Sequence, residues 1–223
     1  MTYIKNILDE AQQAGNIPVI ITEGTLQWGD SGDGWHDETA KLNPLGMGRA
    51  GELSVPYVKR MVEESNAPII RLIPGMTYGG GSWFENGVYN LMKKGWFRTF
   101  GDGQNIVSCV YLDDVAEAYR LAVEKMPLGE TFAIADDQPV KFRDFANCVA
   151  RAMGKPPVKS MPVWLGSFMT GKAMAETLTM NCRVRNTKAK EKLGWRPKCV
   201  SYEQGIPVAV AEIEKNQRER GKR

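Results

Sequence analysis

Apolar residues recur along this chain at two spacings, and the alternation between them predicts the elements. Tyr3–Ala14 carries Ile4, Ile7, Leu8 and Ala11 at helical spacing and stops at Gly15. Ile17–Thr22 (IPVIIT) is a short continuous apolar run, the pattern of a buried strand in a parallel sheet, and is left through Glu23-Gly24-Thr25. Trp28–Pro44 is polar and glycine-rich, a long loop of the kind kept for function or mobility. Glu52–Ser65 is the next helix, with Leu53, Val58, Met61 and Val62 inward; Pro56 must sit in its first turn or kink it. Ile69–Ile73 is the second strand. Helix, strand, helix, strand is the rhythm of a doubly wound α/β layer.

The second strand runs into Pro74-Gly75, passes Tyr78 and meets three glycines, Gly79–Gly81. In open α/β sheets ligands collect at the carboxyl ends of strands, where Pro74–Gly81 falls. Beyond it the pattern predicts a helix over Phe84–Lys94, an extended piece over Phe97–Phe100 and a turn at Gly101-Asp102-Gly103. Ser108–Leu112 is a strand. Asp113 or Asp114 caps a helix reaching about Lys125, with Val115, Ala116, Tyr119, Leu121 and Ala122 as core contacts. Thr131–Ala135 is a buried strand, and Lys141–Met153 is an amphipathic helix closed by Gly154. The three prolines of Lys155–Pro162 mark a linker or extended crossover. Asn186–Leu193 is a short helix with an Asn cap and Gly194 past its end.

Composition narrows the classes. A length of 223 residues allows one large domain or two small ones, with 43% hydrophobic and 25% charged residues, ordinary for a globular protein. The net charge of +3 comes largely from Lys215, Arg218, Arg220, Lys222 and Arg223 at the end of the chain. No aromatic residues interleave with them, so they read as a fraying helix end and no nucleic-acid partner is expected. No apolar stretch approaches a membrane span and no secretory segment opens the chain, so the expectation is a cytoplasmic protein without a membrane partner. Cys109, Cys148, Cys182 and Cys199 are scattered and read as reduced thiols. His36 is the only histidine, which argues against histidine triads and histidine-rich metal centres; no metal is expected.

Four stretches, in order, resemble the NAD(P)-dependent epimerase/dehydratase group of extended short-chain dehydrogenases, enzymes acting mostly on nucleotide sugars and related small molecules. Ile20–Gly29 is similar to that family's strand-five segment. Pro74–Gly81 (PGMTYGGG) resembles its RPG-x-x-YG-P-G segment, and Gly101–Ala118 its GDG…VHVDDVA segment. Asn186–Pro197 (NTKAKEKLGWRP) resembles its terminal signature. The resemblance implies that Tyr3–Ala14 is the helix before strand five. A glycine-rich phosphate loop with its acidic ribose contact would precede that helix in the family, and this chain lacks that half. Without that strand–turn–helix unit no helix N-terminus is aimed at a pyrophosphate.

Catalysis in the family uses Tyr-x-x-x-Lys with a Ser or Thr; the i, i+4 spacing puts both side chains on one helix face. Counted back from Pro74, the tyrosine should fall near Met47 and the lysine near Gly51, and neither is present; the Ser/Thr position falls on Gly24, with Thr25 one residue late and Thr22 two residues early. Some divergent relatives carry an Arg and a Glu at this helix start, where Arg49 and Glu52 stand here. Arg49, Glu52 and Thr25 are thus the catalytic candidates. The plainer alternative is a surface arginine and a first-turn glutamate favoured by the helix dipole. Other matches lack their context. Tyr89-x-x-x-Lys93 follows the Pro74–Gly81 loop where the family's pair precedes it. Gly46–Gly51 fits G-x-G-x-x-G but follows no strand, and Gly166–Lys172 imitates a phosphate loop with Ala173 in place of its Ser/Thr. Asp113-Asp114 reads as cap and structural contact before acid/base or metal work.

These readings add up to an α/β fold: a truncated Rossmann-like parallel sheet over 1–75 and a mixed α/β substrate-type domain over 76–223, with strand 131–135 returning to the sheet. The leading expectation is an epimerase/dehydratase-like ligand-binding or scaffolding remnant without redox catalysis of its own. The alternative is an enzyme subunit whose cofactor half comes from another chain or is missing here, and the remaining one is a hydrolase or lyase reusing Glu23, Arg49 or Glu52. No cofactor is expected for the chain alone, and NAD or NADP if that half is supplied. A nucleotide-sugar-like ligand would lie against Gly24, Thr25, Trp28, Pro74, Gly75, Tyr78, Gly80, Gly81 and Trp83, with Arg49 as anion contact and Arg185 as a weaker one. Ile17–Thr22 would form an open sheet edge, giving a homodimer or heteromer unless the Trp28–Pro44 loop covers it.

Overall fold

The strongest strand patterns pair with one another. In the computed structural model, which describes residues 2–64 and 67–221, the elements run in this order. The first half holds α1 (Thr2–Gln13), β1 (Val19–Thr22), α2 (Ser54–Glu64), β2 (Ile69–Pro74), β3 (Met76–Tyr78), α3 (Asn90–Lys93) and β4 (Thr99–Phe100). Then come β5 (Ile106–Val107), β6 (Cys109–Tyr111), α4 (Leu112–Lys125), β7 (Thr131–Ile134), β8 (Val140–Lys141) and α5 (Phe142–Ala152). The last are β9 (Ser160–Met161), α6 (Val163–Thr170), α7 (Lys172–Thr179) and α8 (Tyr202–Arg220).

β2 is the centre of a three-stranded parallel sheet, β1-β2-β7, with Val19 opposite Ile69 and Arg71 opposite Thr131. Alternate residues of β2 face opposite layers. Ile70 and Leu72 pack with Phe132, Ile134, the α4 residues Val115, Ala118 and Ala122, and Leu193 and Trp195. On the other face Ile69 packs with Leu8 of α1 and Val58 and Val62 of α2, while Ile73 meets Trp28, Ala133 and Val184. Helices thus cover both faces of a parallel sheet, as an α/β fold requires. A larger core joins β3 and β6, paired in parallel, to α5 and α8, with Tyr78, Phe84, Phe142 and Phe145 at its centre. β4 pairs with β9 and β5 with β8.

Several predicted details are corrected. Leu53 is exposed, because α2 begins one residue later at Ser54 and leaves it in the preceding turn; Pro56 lies in the first turn of α2. Neither Asp113 nor Asp114 caps α4. The cap is Tyr111, and the Asp114 carboxylate instead accepts the Lys198 and Cys199 N–H groups at 2.7 and 3.0 Å. The Asn186 side chain likewise caps nothing, since its amide donates to Ala135 O and to Asp137 Oδ1, both at 2.7 Å. The presumed crossover 155–162 contains β9. Gly166–Lys172 spans the junction of α6 and α7, with Gly166 pressed on the Phe100 ring, so it cradles nothing. The end of the predicted helix at Ser65 and the tail residues Lys222 and Arg223 lie outside the described residues.

Among the described residues β1 pairs on one side only, with β2, and is the sheet edge. The long loop after Trp28 goes to the opposite edge. His36 bridges to Val184, and Glu38 Oε1 accepts the Ala133 N–H of β7 at 2.7 Å. Burial raises the Glu38 pKa above the carboxylate norm, against the pull of that N–H and of Lys188.

Candidate active site

The carboxyl ends of β1 and β2 enclose a buried ion pair. Arg71 sits in the middle of an apolar strand, where a charge must find a partner or be expelled. Its Nε donates to Glu23 Oε2 at 2.9 Å and its Nη2 to the same oxygen. Nη2 also reaches Gln27 Oε1 at 3.1 Å, and Nη1 reaches Thr131 Oγ1 at 3.5 Å. Burial raises the Glu23 pKa, with the Arg71 charge and hydrogen bonds pulling the other way. Gln27 closes the network by donating Nε2 to Gly24 O at 3.1 Å.

Above Gln27 lies a cavity of about 170 Å³, lined by Leu42, Pro44, Gly48, Gly51, Glu52, Val55 and Pro56 as well. It stands between the 3-10 turn Gly46–Gly51 and the start of α2, the location that the resemblance assigns to the tyrosine–lysine pair. Glu52 is its one carboxylate. Thr25 is beside it in the chain fold but buried, on the turn Thr25–Trp28. Gly48 is required by close approach, because a Cβ there would stand 2.4 Å from Leu26 O. Gly48→Ala is therefore expected to push the two turns apart. Quenching of tryptophan emission by acrylamide should rise as Trp28 loses cover, and an unchanged quenching constant would contradict the packing.

Arg49 is already paired. Its Nη1 donates to Glu176 Oε2 of α7 at 2.6 Å, and this bond holds the Glu176 carboxyl below its usual range. N–H groups of the turn are taken too: Gly46 donates to Glu176 Oε2 at 3.2 Å and Met47 to Thr177 Oγ1 at 2.8 Å. The α7 carboxylate thus stands where an anionic ligand would have to compete.

The proposed ligand residues fall into separate groups. Gly24, Thr25 and Trp28 line the end of β1. Pro74 and Gly75 end β2, with Gly75 so close to Ser108 O that a Cβ would come within 2.5 Å. Tyr78 is wholly buried among Phe84, Tyr111 and Phe145, and its ring offers no face to a ligand. Gly80 packs near Ile213 of α8, Gly81 donates its N–H to Glu85 Oε2 at 2.8 Å, and Trp83 stands half exposed beside Gly87. Arg185 lies over the Trp35 ring in the long loop, 5.6 Å from its centroid. Tyr89 is buried and Lys93 donates to Gln217 at 2.8 Å, which places that pair against α8 and away from the cavity. Among the described residues no cluster of three His, Cys, Asp or Glu side chains forms a metal centre. Sequence reasoning missed the Glu23–Arg71–Gln27 network; its signal was the lone charge inside IIRLIP.

No family model matches the chain. It is 27% identical to a 3-diazoavenalumate denitrifying reductase of a Streptomyces species, over 69% of this chain and 51% of the reductase. It is also 27% identical to the decarboxylating sterol-4-alpha-carboxylate 3-dehydrogenase of Saccharomyces cerevisiae, over 93% and 68% of the respective chains. Among solved structures, dTDP-glucose 4,6-dehydratase of Bacillus anthracis in complex with NAD superposes with a TM-score of 0.77 at 18% identity, over 95% of this chain and 66% of the dehydratase. UDP-glucose 4-epimerase of Thermotoga maritima with UDP-glucose gives 0.72 at 25%, over 94% and 67%. The chain thus spans about half of the reductase and about two thirds of the other three. Its homologues and structural neighbours are NAD-dependent epimerases, dehydratases and reductases of the short-chain dehydrogenase family, and its α/β fold is theirs.

Proposed function

We propose that this chain is a ligand-binding protein on the epimerase/dehydratase fold that does not itself transfer hydride. One observation supports the reading: the turn near which the resemblance places the tyrosine and lysine carries Met47 and Gly51 instead, and is held by Glu176 and Thr177. No phenol or ammonium is there to exchange a proton with a substrate hydroxyl. The residues present also fit a nicotinamide dinucleotide poorly. Thr25 is buried, Arg49 is spent on Glu176, and a cavity of about 170 Å³ is smaller than the roughly 300–1,000 Å³ that encloses drug-sized ligands. It suits a small polar group, such as one end of a nucleotide-sugar-like molecule, with Glu52 accepting from a hydroxyl. A bound ligand raises apparent stability by RT ln(1 + [L]/Kd). Thermal unfolding is expected to be unmoved by NAD(H) and NADP(H) and raised by a UDP- or dTDP-sugar. A rise of several degrees with a nicotinamide nucleotide would overturn the reading.

The open edge of β1 favours a second reading, in which another chain pairs there and supplies the cofactor-binding half, or a second copy covers the edge. Val19–Thr22 is apolar, unpaired on one side and undefended by charge. Sedimentation at micromolar concentration is expected to show a species heavier than 24.8 kDa. A clean monomer without aggregation counts against pairing.

A further inference from the structure

α6 presents an anomaly. A helix this apolar belongs in a core, yet Val163–Thr170 (VWLGSFMT) fully buries only Gly166, against Phe100, leaves Leu165 half-buried, and turns its other large side chains outward. Phe168 is 87% exposed, Trp164 72% and Met169 65%, with Val163 exposed beside them. Trp164 and Phe168 are one turn apart and share a face. A buried aromatic covers about 150–250 Å², so these two rings alone leave roughly 300 Å² of apolar surface in water.

Cations outnumber acids around this helix, where Glu176 is paired with Arg49 and Lys172, and Asp102 follows Gly101 beside Val163. Lys159 and Lys172 stand before and after it in the chain, while Lys155 Nζ donates to Lys93 O at 3.2 Å, and from Lys155 to Lys172 the chain has no acid. Arg143 is tied to the same edge through Ser160 Oγ at 2.6 Å. Lys172 stays 85% exposed although Glu176 lies 3.8 Å away. Two copies meeting through this face would bring lysines against lysines, which disfavours self-association. Tryptophan, phenylalanine and methionine framed by lysines match the boundary of an anionic bilayer instead, where aromatic rings enter the headgroup region and cations meet lipid phosphate and carboxylate. No helix of the described residues is long and apolar enough to cross a membrane, so the contact would be interfacial.

We infer that α6, with the lysines on either side of it, docks the protein onto anionic lipid surfaces. Flotation of the full chain with vesicles of 70% phosphatidylcholine and 30% phosphatidylserine (roughly the anionic content that gives a strong surface potential) tests this, with tryptophan emission read in parallel. The expected result is co-flotation with a blue shift, at least about tenfold weaker on pure phosphatidylcholine or at raised salt. The double variant W164E/F168E should lose it; both residues are exposed, so folding is preserved, checked by circular dichroism. Three results would overturn the inference: no binding to the anionic vesicles, binding that survives W164E/F168E and so comes from the basic end of α8, or a concentration-dependent dimer lost in that variant without any vesicle binding.

Discussion

Arg71→Met is expected to lower the unfolding free energy by about 3–5 kcal/mol, the cost of breaking one side of a buried ion pair. For a chain of this size that is a fall of roughly 10 °C in Tm. Methionine matches the length of the stem but leaves Glu23 buried beside Gln27 with no cation. With Arg71 gone, the burial that already raises the Glu23 pKa acts unopposed. The cost should therefore shrink in acid, as Glu23 takes up its proton. Glu23→Gln strands an arginine that cannot lose its charge, so its cost should not relax in acid. The double variant R71M/E23M should recover most of the loss, since replacing both partners with apolar groups of similar volume is often neutral. Urea denaturation of the four proteins checks this. A cost below about 1 kcal/mol for R71M would mean the pair is screened by water.

Asp136→Asn is expected to act in the opposite direction and to depend on pH. Asp136 follows β7 and is 2% exposed; Oδ1 accepts the Gln138 N–H at 3.1 Å, and Oδ2 has no partner among the described residues. Burial, with smaller repulsion from Asp137 and Asp114, pushes its pKa up from 3.8 to about 8 against the pull of that N–H. Between these two values the folded chain keeps a proton that the unfolded chain has released. Stability from this group is thus full below about 3.8 and lost as pH rises to about 8. Asparagine removes that slope. The variant should gain on the order of 2 kcal/mol over the parent at pH 8.5 and little at pH 4. Parallel stability curves for parent and variant across this window would contradict the assignment.

The parallel sheet was legible because β1, β2 and β7 are short, mostly apolar runs rich in β-branched residues and bounded by Pro or Gly. α6 was not, since an apolar helix without a polar face has no helical period to read. The basic end of α8 was read as helix, but its body was hidden for another reason: Gly205 and Pro207 stand inside it and weaken both propensity and pattern. Gly205 is needed because a Cβ would come within 2.0 Å of the buried Tyr78 hydroxyl. Aspartates 113 and 114 look like a cap because local rules see only neighbours, whereas Asp114 is bound to a segment over eighty residues away. The same limit governs the site. Met47 and Gly51 could be placed by spacing, but Glu176, which closes the Gly46–Gly51 turn, comes from a helix that the pattern did not announce.

The separation of ligand binding from hydride transfer is tested most directly by amide chemical shifts of the full chain during titration with NADPH, NADH and a UDP- or dTDP-sugar. The account predicts saturable shifts from the sugar nucleotide confined to Gly24–Trp28 and Gly46–Val55, and none from either nicotinamide nucleotide up to about 1 mM, a Kd scale of only about 4 kcal/mol. Saturable shifts from NADPH or NADH at those same residues would contradict it.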